Sequence, residues 1–303
     1  MRGSGGEPVG FRATLLSHGL ARLAPNAIAV DGRSLITTIA IATSGVRSIR
    51  LSEDRSGRIA IVVEGPALGA KAQASVIATV RVMFALDDDL SPFYAAAARD
   101  PALAFATRGV GRLLRSPTAF EEVVRTVCTT NCAWGGTIRM IEALVTHLGK
   151  RARGGTPDEW RGRAFPTPED VASADERFFR DVARAGYRGA YLRKLGELVA
   201  GGTVDLEALR AAPRSELSDE ELEERLRELP GVGPYAAAHV MLLFGRRSRL
   251  VLDSWTRPEY ARLVGKKKVA DRTIERRFKP YREEAGLAFW LFLWKSRHEA
   301  AAT

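Results

Sequence analysis

The sequence predicts an α+β protein in which a mixed first part is followed by an all-helical second part. Short β-branched segments separated by turns of Gly, Asp and Ser occur between residues 27 and 63, and this pattern is typical of strands. From Ser91 onwards, apolar side chains recur at helical spacing almost to the end of the chain. The acidic run Asp87-Asp88-Asp89 separates the two patterns, so we place the domain boundary there.

The first part is expected to hold four strands and one helix. The strands are predicted at residues 27–30, 35–42, 46–51 and 59–63, and the helix at residues 73–85. Residues 11–24 are expected to be irregular or to form a first strand. Residues 1–10 form a short polar segment that does not resemble a secretory signal. We interpret them as a flexible tail. The first domain is therefore expected to span residues 11–89.

The second domain, residues 90–303, is predicted to be helical throughout. Ser91 and Ser116 precede two of the helical patterns and are expected to cap them. The predicted helices cover residues 92–99, 117–131, 134–148, 168–174, 176–185, 191–199, 219–228, 234–244, 254–263, 269–279 and 283–297.

Composition and charge restrict the class of protein. The chain has 303 residues, of which 46% are hydrophobic, and no apolar run approaches the roughly eighteen residues that a membrane span needs. The net charge is +10. Residues 1–90 carry 10 basic and 8 acidic side chains, whereas the remainder carries 36 and 28, so the excess lies in the helical domain. This distribution favours a phosphate-rich partner and no membrane, although many basic proteins bind no nucleic acid.

Two cysteines, Cys128 and Cys132, are present. This number excludes a disulfide framework and a four-cysteine iron–sulfur cluster, and it favours a reducing compartment, the cytoplasm or, in a eukaryote, the nucleus. Their spacing would suit half of a metal site, but no histidine cluster lies near them in the sequence, so packed thiols are the favoured interpretation. We expect neither a metal nor a cofactor.

The segment Leu229-Pro230-Gly231-Val232-Gly233 is predicted to be a hairpin between two helices. Pro230 ends the first helix, and the glycines permit backbone angles that other residues avoid. Pro234 suits the first turn of the next helix, whose free N–H groups favour an anion. An ordinary helix-turn-helix connection is the alternative. The apolar run ending in Asp253, twenty residues beyond the hairpin, makes the phosphate-binding interpretation more specific.

This combination resembles the helix-hairpin-helix superfamily of base-excision DNA glycosylases. The segments Cys128-Thr129-Thr130-Asn131 and Gly186-Tyr187-Arg188 are similar to segments of its 8-oxoguanine and 3-methyladenine branch, and the resemblance covers about residues 10 to 298. It implies an antiparallel sheet in the first domain, double-stranded DNA with a damaged base as the partner, and a monomer. It also leaves room for a structural monovalent cation at the hairpin.

The resemblance implies that Asp253 is the catalytic carboxylate. Cleavage of an N-glycosidic bond builds positive charge on the sugar, which a carboxylate stabilises while it orients or activates water. An acid after an apolar run also suits the N-cap of a helix. The two interpretations are compatible, because a carboxylate at a helix start can still face a cleft.

The resemblance also assigns roles in base flipping. Tyr187 is expected to be a wedge beside the estranged base, Arg188 to hydrogen-bond that base, and Asn131 to fill the gap in the duplex. Each residue also has an ordinary structural interpretation. Tyr187 could be an aromatic residue at a helix start, Arg188 a solvated side chain and Asn131 a helix C-cap. The branch that reads an opposite cytosine has a second Arg where this chain has Gly136, so strict cytosine reading is not expected.

The expected base pocket consists of the aromatic residues Tyr235, Trp255, Phe289 and Trp134. In the last helix, Phe289 lies on one face and Trp290 with Trp294 on another. Such a stripe is more often core than pocket. His18 falls where family members sometimes line the pocket, but a surface or core histidine is the favoured interpretation.

The sequence therefore predicts a monofunctional DNA glycosylase that removes a damaged, most readily an alkylated, purine. The alternatives are an oxidised- or deaminated-purine glycosylase acting on 8-oxoguanine or hypoxanthine, and a non-catalytic DNA-binding protein. The bifunctional branch has its lyase lysine two residues beyond the second hairpin glycine. Tyr235 occupies that place and has no amine, so no strand-cleaving lyase step is expected.

Overall fold

The computed structural model describes residues 1–41, 43–153 and 159–295. Within these ranges the first part holds a four-stranded antiparallel sheet, in which each strand pairs with the next along the chain. The strands are β1 Ala27–Ile28, β2 Ser34–Ile41, β3 Gly45–Glu53 and β4 Ile59–Val63. The predicted strands and their antiparallel arrangement are confirmed. Ala42, predicted to end the second strand, lies outside the described residues.

Thirteen α-helices accompany the sheet in the described part of the chain. They are α1 Phe11–Leu15, α2 Ala70–Met83, α3 Ser91–Ala97, α4 Ala119–Thr129, α5 Trp134–Leu148, α6 Pro168–Ala172, α7 Arg188–Ala200, α8 Leu206–Ala211, α9 Asp219–Arg227, α10 Pro234–Leu243, α11 Thr256–Leu263, α12 Asp271–Phe278 and α13 Ala285–Leu293. The prediction of an α+β protein with a helical second part is confirmed at this level.

Some helix details differ from the prediction. Thr118, and not Ser116, caps α4, because its hydroxyl accepts a hydrogen bond from the Glu121 N–H at 3.2 Å. The helix predicted at 176–185 is a single π turn, Phe178–Val182, and α8 was not predicted. The last two residues of the helix predicted at 283–297 lie outside the described residues.

The segment 11–24 does not form a strand. It folds as α1 followed by a 3₁₀ turn, Gly19–Arg22. The physical reason is burial at helical spacing: Phe11 and Leu15 lie one turn apart on α1, and both pack into the core beneath the sheet.

The prediction of a flexible tail at residues 1–10 is also wrong. Glu7 is buried and forms an ion pair with Arg112, whose side chain is fully buried. The same carboxylate accepts a hydrogen bond from the Leu90 N–H at 3.0 Å, and Val9 joins the buried residues nearby. A buried arginine needs a carboxylate partner, and the sequence gives no local sign that this partner lies 105 positions earlier.

Helix α10 lies between two buried cores, and this position explains why it is apolar on all sides. Ala237 and Val240 pack into a core shared with α4, α5, α7 and α9. Ala238 and Leu242 pack into a second core shared with α3, α11, α12 and α13. No helix in the described ranges combines the length and apolarity that a membrane crossing requires.

Candidate active site

The hairpin before α10 uses its two glycines for different reasons. Gly231 has a left-handed φ of +80°, which favours glycine, and an added Cβ would lie 3.0 Å from Tyr191 and 3.1 Å from Val127. Gly231 is therefore required by the fold itself. Gly233 caps α10 at φ −90°, with Pro234 at the first helical position, and a Cβ added there would meet open space.

The hairpin leaves backbone donors available. Within the described residues, the N–H groups of Gly231 and Gly233 donate to no hydrogen bond. They lie at the positive end of the ten-residue helix α10. Unpaired N–H groups at a helix start favour an anion, and at the exposed Gly233 there is open space in which an anion could approach the backbone.

Asp253 is held in one orientation at the approach to α11. Its Oδ1 accepts hydrogen bonds from the N–H groups of Trp255 at 2.8 Å and Thr256 at 2.6 Å. Its own N–H donates to the Thr256 hydroxyl at 2.8 Å. Oδ2 has no partner among the described residues, and the side chain is half-buried. One oxygen of Asp253 therefore accepts the N–H groups at the start of α11, and the other has no partner among the described residues.

Tyr235, in the first turn of α10, lies near Asp253. Its hydroxyl shares a hydrogen bond of 3.1 Å with the Thr129 hydroxyl at the end of α4. Burial raises the pKa of the Tyr235 phenol, and the nearby Asp253 charge acts in the same direction. The phenol therefore stays neutral and presents an aromatic surface to the cleft.

His239 is a site residue that the sequence reasoning missed. It follows Tyr235 by four positions on α10, so the two side chains share one face of the helix. The ring centroids of Tyr235 and Trp290 lie 5.9 and 5.6 Å from the centroid of His239, and that of His18 lies at 6.3 Å. Burial lowers the pKa of His239 to about 4, although the Asp253 charge opposes this shift. The helical spacing from Tyr235 was the signal that could have revealed it.

The two tryptophans predicted for the pocket are partly exposed and pack on different neighbours. The ring of Trp255 lies 5.3 Å from Trp294 and 6.4 Å from Trp290. Trp134, at the start of α5, packs so closely on Gly19 that a Cβ there would collide with its ring. Both predicted tryptophans remain about half exposed, with accessible fractions of 45% for Trp134 and 43% for Trp255. Their faces are therefore available to a flat ligand.

The assignment of Phe289 to the base pocket is wrong. Its side chain is fully buried, with the rings of Phe278 and Tyr260 at 5.4 and 6.2 Å, and it belongs to the core of the helical part. The neighbouring face of α13 carries Trp290, which packs against His239 and donates its indole N–H to the Ser17 carbonyl at 3.2 Å. Trp290 is also buried, but it faces His239 and not the Tyr260–Phe278 part of the core.

The predicted flipping residues lie together, but Arg188 has a different task. Asn131 has a left-handed φ of +44° and donates from its amide to the Tyr187 hydroxyl at 3.1 Å. Tyr187 is 53% exposed. Arg188 is buried and donates to the carbonyl groups of Thr130 and Asn131, each at 2.9 Å. The guanidinium of Arg188, which was expected to hydrogen-bond a base, instead hydrogen-bonds the backbone of the turn that contains Asn131.

The two cysteines are free thiols in different surroundings. Cys128 is fully buried, and burial raises the pKa of its thiol to about 12. Cys132 is partly exposed beside Gly136, where the cytosine-reading branch has an arginine. Across the described ranges, no group of three or more His, Cys, Asp or Glu side chains is placed to hold a metal ion.

Comparisons with known proteins point to one fold. No protein-family model matches the chain. The DNA-3-methyladenine glycosylase of Bacillus subtilis (strain 168) is 25% identical over 176 residues, which cover 55% of this chain and 53% of that protein. The chain therefore spans about half the length of this curated relative.

Two solved structures match over nearly the whole chain. The 3-methyladenine DNA glycosylase of Archaeoglobus fulgidus is 17% identical, with a TM-score of 0.73 over 98% of both chains. The Clostridium acetobutylicum 8-oxoguanine glycosylase/lyase, in complex with double-stranded DNA containing cytosine opposite 8-oxoguanine, is 20% identical, with a TM-score of 0.68 over 93% of this chain and 92% of that one. The chain has the fold of these DNA glycosylases, and the resemblance inferred from the hairpin is confirmed.

Proposed function

We propose that this protein is a monofunctional DNA glycosylase that excises a damaged purine from double-stranded DNA. One observation carries the proposal: Asp253, with one carboxylate oxygen unpaired in the described part of the chain, lies close enough to Tyr235 and His239 for its charge to act on both. The carboxylate thus lies near Tyr235 and two positions before the half-exposed Trp255, and the hairpin before α10 has free N–H donors. The fold shared with solved glycosylases supports the same function.

Asp253 is the proposed catalytic carboxylate. As the N-glycosidic bond breaks, positive charge builds on the sugar, and a carboxylate already fixed in place stabilises that charge without reorganising. The two backbone hydrogen bonds to Oδ1 supply this fixed orientation. The unpaired Oδ2 is then available to the sugar or to the attacking water.

The proposed substrate is an alkylated purine, and deaminated and oxidised purines are expected to be excised more slowly. The half-exposed rings of Trp255 and Trp134, with Tyr235 near Asp253, are proposed to bind a flat base by stacking. A methylated purine with positive charge gains a cation–π attraction of roughly 0.5–2 kcal/mol on such rings. That energy discriminates weakly, so the lability of the alkylated glycosidic bond must supply much of the selectivity.

Residues at the mouth of the cleft are proposed to hold the opened duplex. Tyr187 is exposed and lies next to Asn131, to which it is hydrogen-bonded. We propose that Asn131 occupies the gap left by the flipped nucleotide and that Tyr187 wedges beside the estranged base. Arg188 contributes by fixing the backbone of Asn131.

Excision rates on a panel of duplexes test the substrate proposal. The panel carries 3-methyladenine, 7-methylguanine, hypoxanthine or 8-oxoguanine, and abasic sites are revealed by alkaline cleavage. We expect the fastest excision from the two methylated duplexes, because their glycosidic bonds are weakest. Activity confined to 8-oxoguanine opposite cytosine would contradict the alkylated-purine proposal and would favour the oxidised-purine alternative.

The same duplexes test the absence of a lyase step. Tyr235 holds the position of the lyase lysine, and its phenol is engaged with Thr129. Lys266, Lys267 and Lys268 lie exposed on the turn between α11 and α12. We therefore expect no strand cleavage without alkali and no protein–DNA adduct after borohydride reduction. Efficient trapping of such an adduct would contradict this prediction.

A further inference from the structure

His239 is a partly buried polar residue on the otherwise largely apolar helix α10. The helix reads PYAAAHVMLL, and its two polar side chains, Tyr235 and His239, both lie near Asp253. Tyr235 satisfies its hydroxyl through Thr129. The Nδ1 atom of His239 is buried, and no hydrogen-bond partner for it exists among the described residues. A buried nitrogen without a partner is costly, so a polar group brought in beside this ring would be stabilising.

The rings around His239 define where such a group would lie. Tyr235, Trp290 and His18 surround the imidazole with centroid distances of 5.6 to 6.3 Å. The ring of Trp290 in turn lies 6.4 Å from that of the half-exposed Trp255, and the Asp253 charge acts on His239. A flat group that enters beside Trp255 and Asp253 would therefore approach His239, which is partly buried as a residue.

The charge state of His239 decides which ligand it tolerates. Because burial lowers its pKa to about 4, the imidazole is neutral near pH 7. A neutral imidazole has one N–H donor and one acceptor nitrogen, so it can pair with either kind of polar atom on a purine edge. An imidazolium would repel a cationic purine, whereas the neutral ring leaves the positive charge of the purine to Asp253.

We propose that His239 is a specificity-determining residue of the pocket, whose neutral imidazole hydrogen-bonds the edge of the flipped purine. The proposal rests on the proposed glycosylase function and extends it from the sugar to the base. The side chain selects bases with a polar edge at the inner end of the cleft and accepts both neutral and cationic purines. A histidine that only fills space would make no such selection.

Two substitutions of His239 separate these roles. His239→Leu fills a similar space without a hydrogen bond, and His239→Gln stays neutral and keeps a donor and an acceptor. We expect His239→Leu to lower kcat/KM on the best lesion duplex about tenfold or more, and His239→Gln to stay within about threefold of wild type. Binding to a duplex with a tetrahydrofuran abasic analogue, which offers no base to the pocket, is expected to be unchanged in both variants.

The matched control is His147→Leu, because His147 is exposed on α5 and packs on Phe178. It is expected to leave both measurements unchanged. A packing role alone predicts that the leucine variant is at least as active as wild type and that the glutamine variant is worse, which would overturn the proposal. Equal losses of excision and of abasic-analogue binding in both variants would also overturn it.

The same experiment distinguishes failure of this inference from failure of the proposed function. If the wild-type protein releases no base from any duplex, the glycosylase function fails, and the role of His239 fails with it. If the wild-type protein excises bases and the leucine variant does so equally well, only the role of His239 fails.

Discussion

Replacing Asp253 with asparagine is expected to lower single-turnover base excision by roughly 100- to 1,000-fold, the loss typical of removing one preorganised electrostatic group. Duplex binding should stay close to wild type. The asparagine carbonyl oxygen can still accept from the Trp255 and Thr256 N–H groups, which are 2.8 and 2.6 Å from Oδ1 in the native protein. The start of α11 is thus preserved while the negative charge is removed. The measurement is the rate of abasic-site formation under excess enzyme.

Asp205→Asn is the matched control for this substitution. Asp205 caps α8 in the same manner, accepting from the Ala208 N–H at 2.9 Å, and it is exposed. This variant is expected to excise at the wild-type rate. Excision by the Asp253→Asn protein at a rate close to wild type would show that Asp253 is not catalytic. If the wild-type protein also showed no preference for damaged duplexes, the non-catalytic DNA-binding alternative would be favoured.

Replacing Gly233 with valine is expected to weaken binding to every duplex, damaged or not, by roughly 10- to 100-fold. The new side chain would hold a phosphate away from the N–H groups of the hairpin, and a hydrogen bond to a charged group contributes about 1.5–3 kcal/mol. Because a Cβ at Gly233 meets open space and its φ is −90°, the variant should fold normally. Fluorescence anisotropy with undamaged and lesion-containing duplexes measures the effect.

Gly69→Val provides the control for the hairpin substitution. Gly69 also caps a helix, has a φ of −68° and meets open space, but it lies at the start of α2 in the first part of the chain. Its valine variant is expected to bind DNA normally. Gly231 is unsuitable for this test, because its left-handed φ and the nearby Tyr191 and Val127 mean that a larger residue would disturb the fold. Weaker binding could then result from misfolding and not from a lost phosphate contact. Unchanged affinity of Gly233→Val for undamaged DNA would contradict the phosphate-binding role of the hairpin.

Local patterns in the sequence predicted the parts of this molecule that depend on local chemistry. The hairpin follows from Pro230 and its two glycines, and the hydrogen bonds of Asp253 to the N–H groups at the start of α11 follow from its place before a helix. The helix bounds were close for the same reason, and α5 was predicted at its observed limits. Each of these features is decided by residues within a few positions of one another.

Features that depend on tertiary contacts could not be predicted in this way. Phe289 and Trp290 are adjacent aromatics on α13, and both are buried. Only their packing partners distinguish them, since Phe289 lies beside Tyr260 and Phe278 whereas Trp290 lies beside His239. Arg188 was expected to hydrogen-bond a base, but its guanidinium donates a hydrogen bond to the Asn131 carbonyl group.

The N-terminal segment shows the same dependence on distant partners. Its short, polar composition indicated a tail. The sequence did not show that Glu7 pairs with Arg112, because the two residues are far apart in the chain. The burial of that ion pair orders a segment whose own residues would not fold alone.

Identification of the free base released from methylated DNA tests the central claim most directly. Genomic DNA treated with a methylating agent is incubated with the wild-type protein or with the Asp253→Asn variant, and the small molecules released are identified by mass spectrometry. We expect free 3-methyladenine and 7-methylguanine from the wild-type protein, and amounts close to the spontaneous background from the variant. Release of methylated nucleotides in place of free bases, or no release above background by the wild-type protein, would contradict the assignment of a DNA glycosylase.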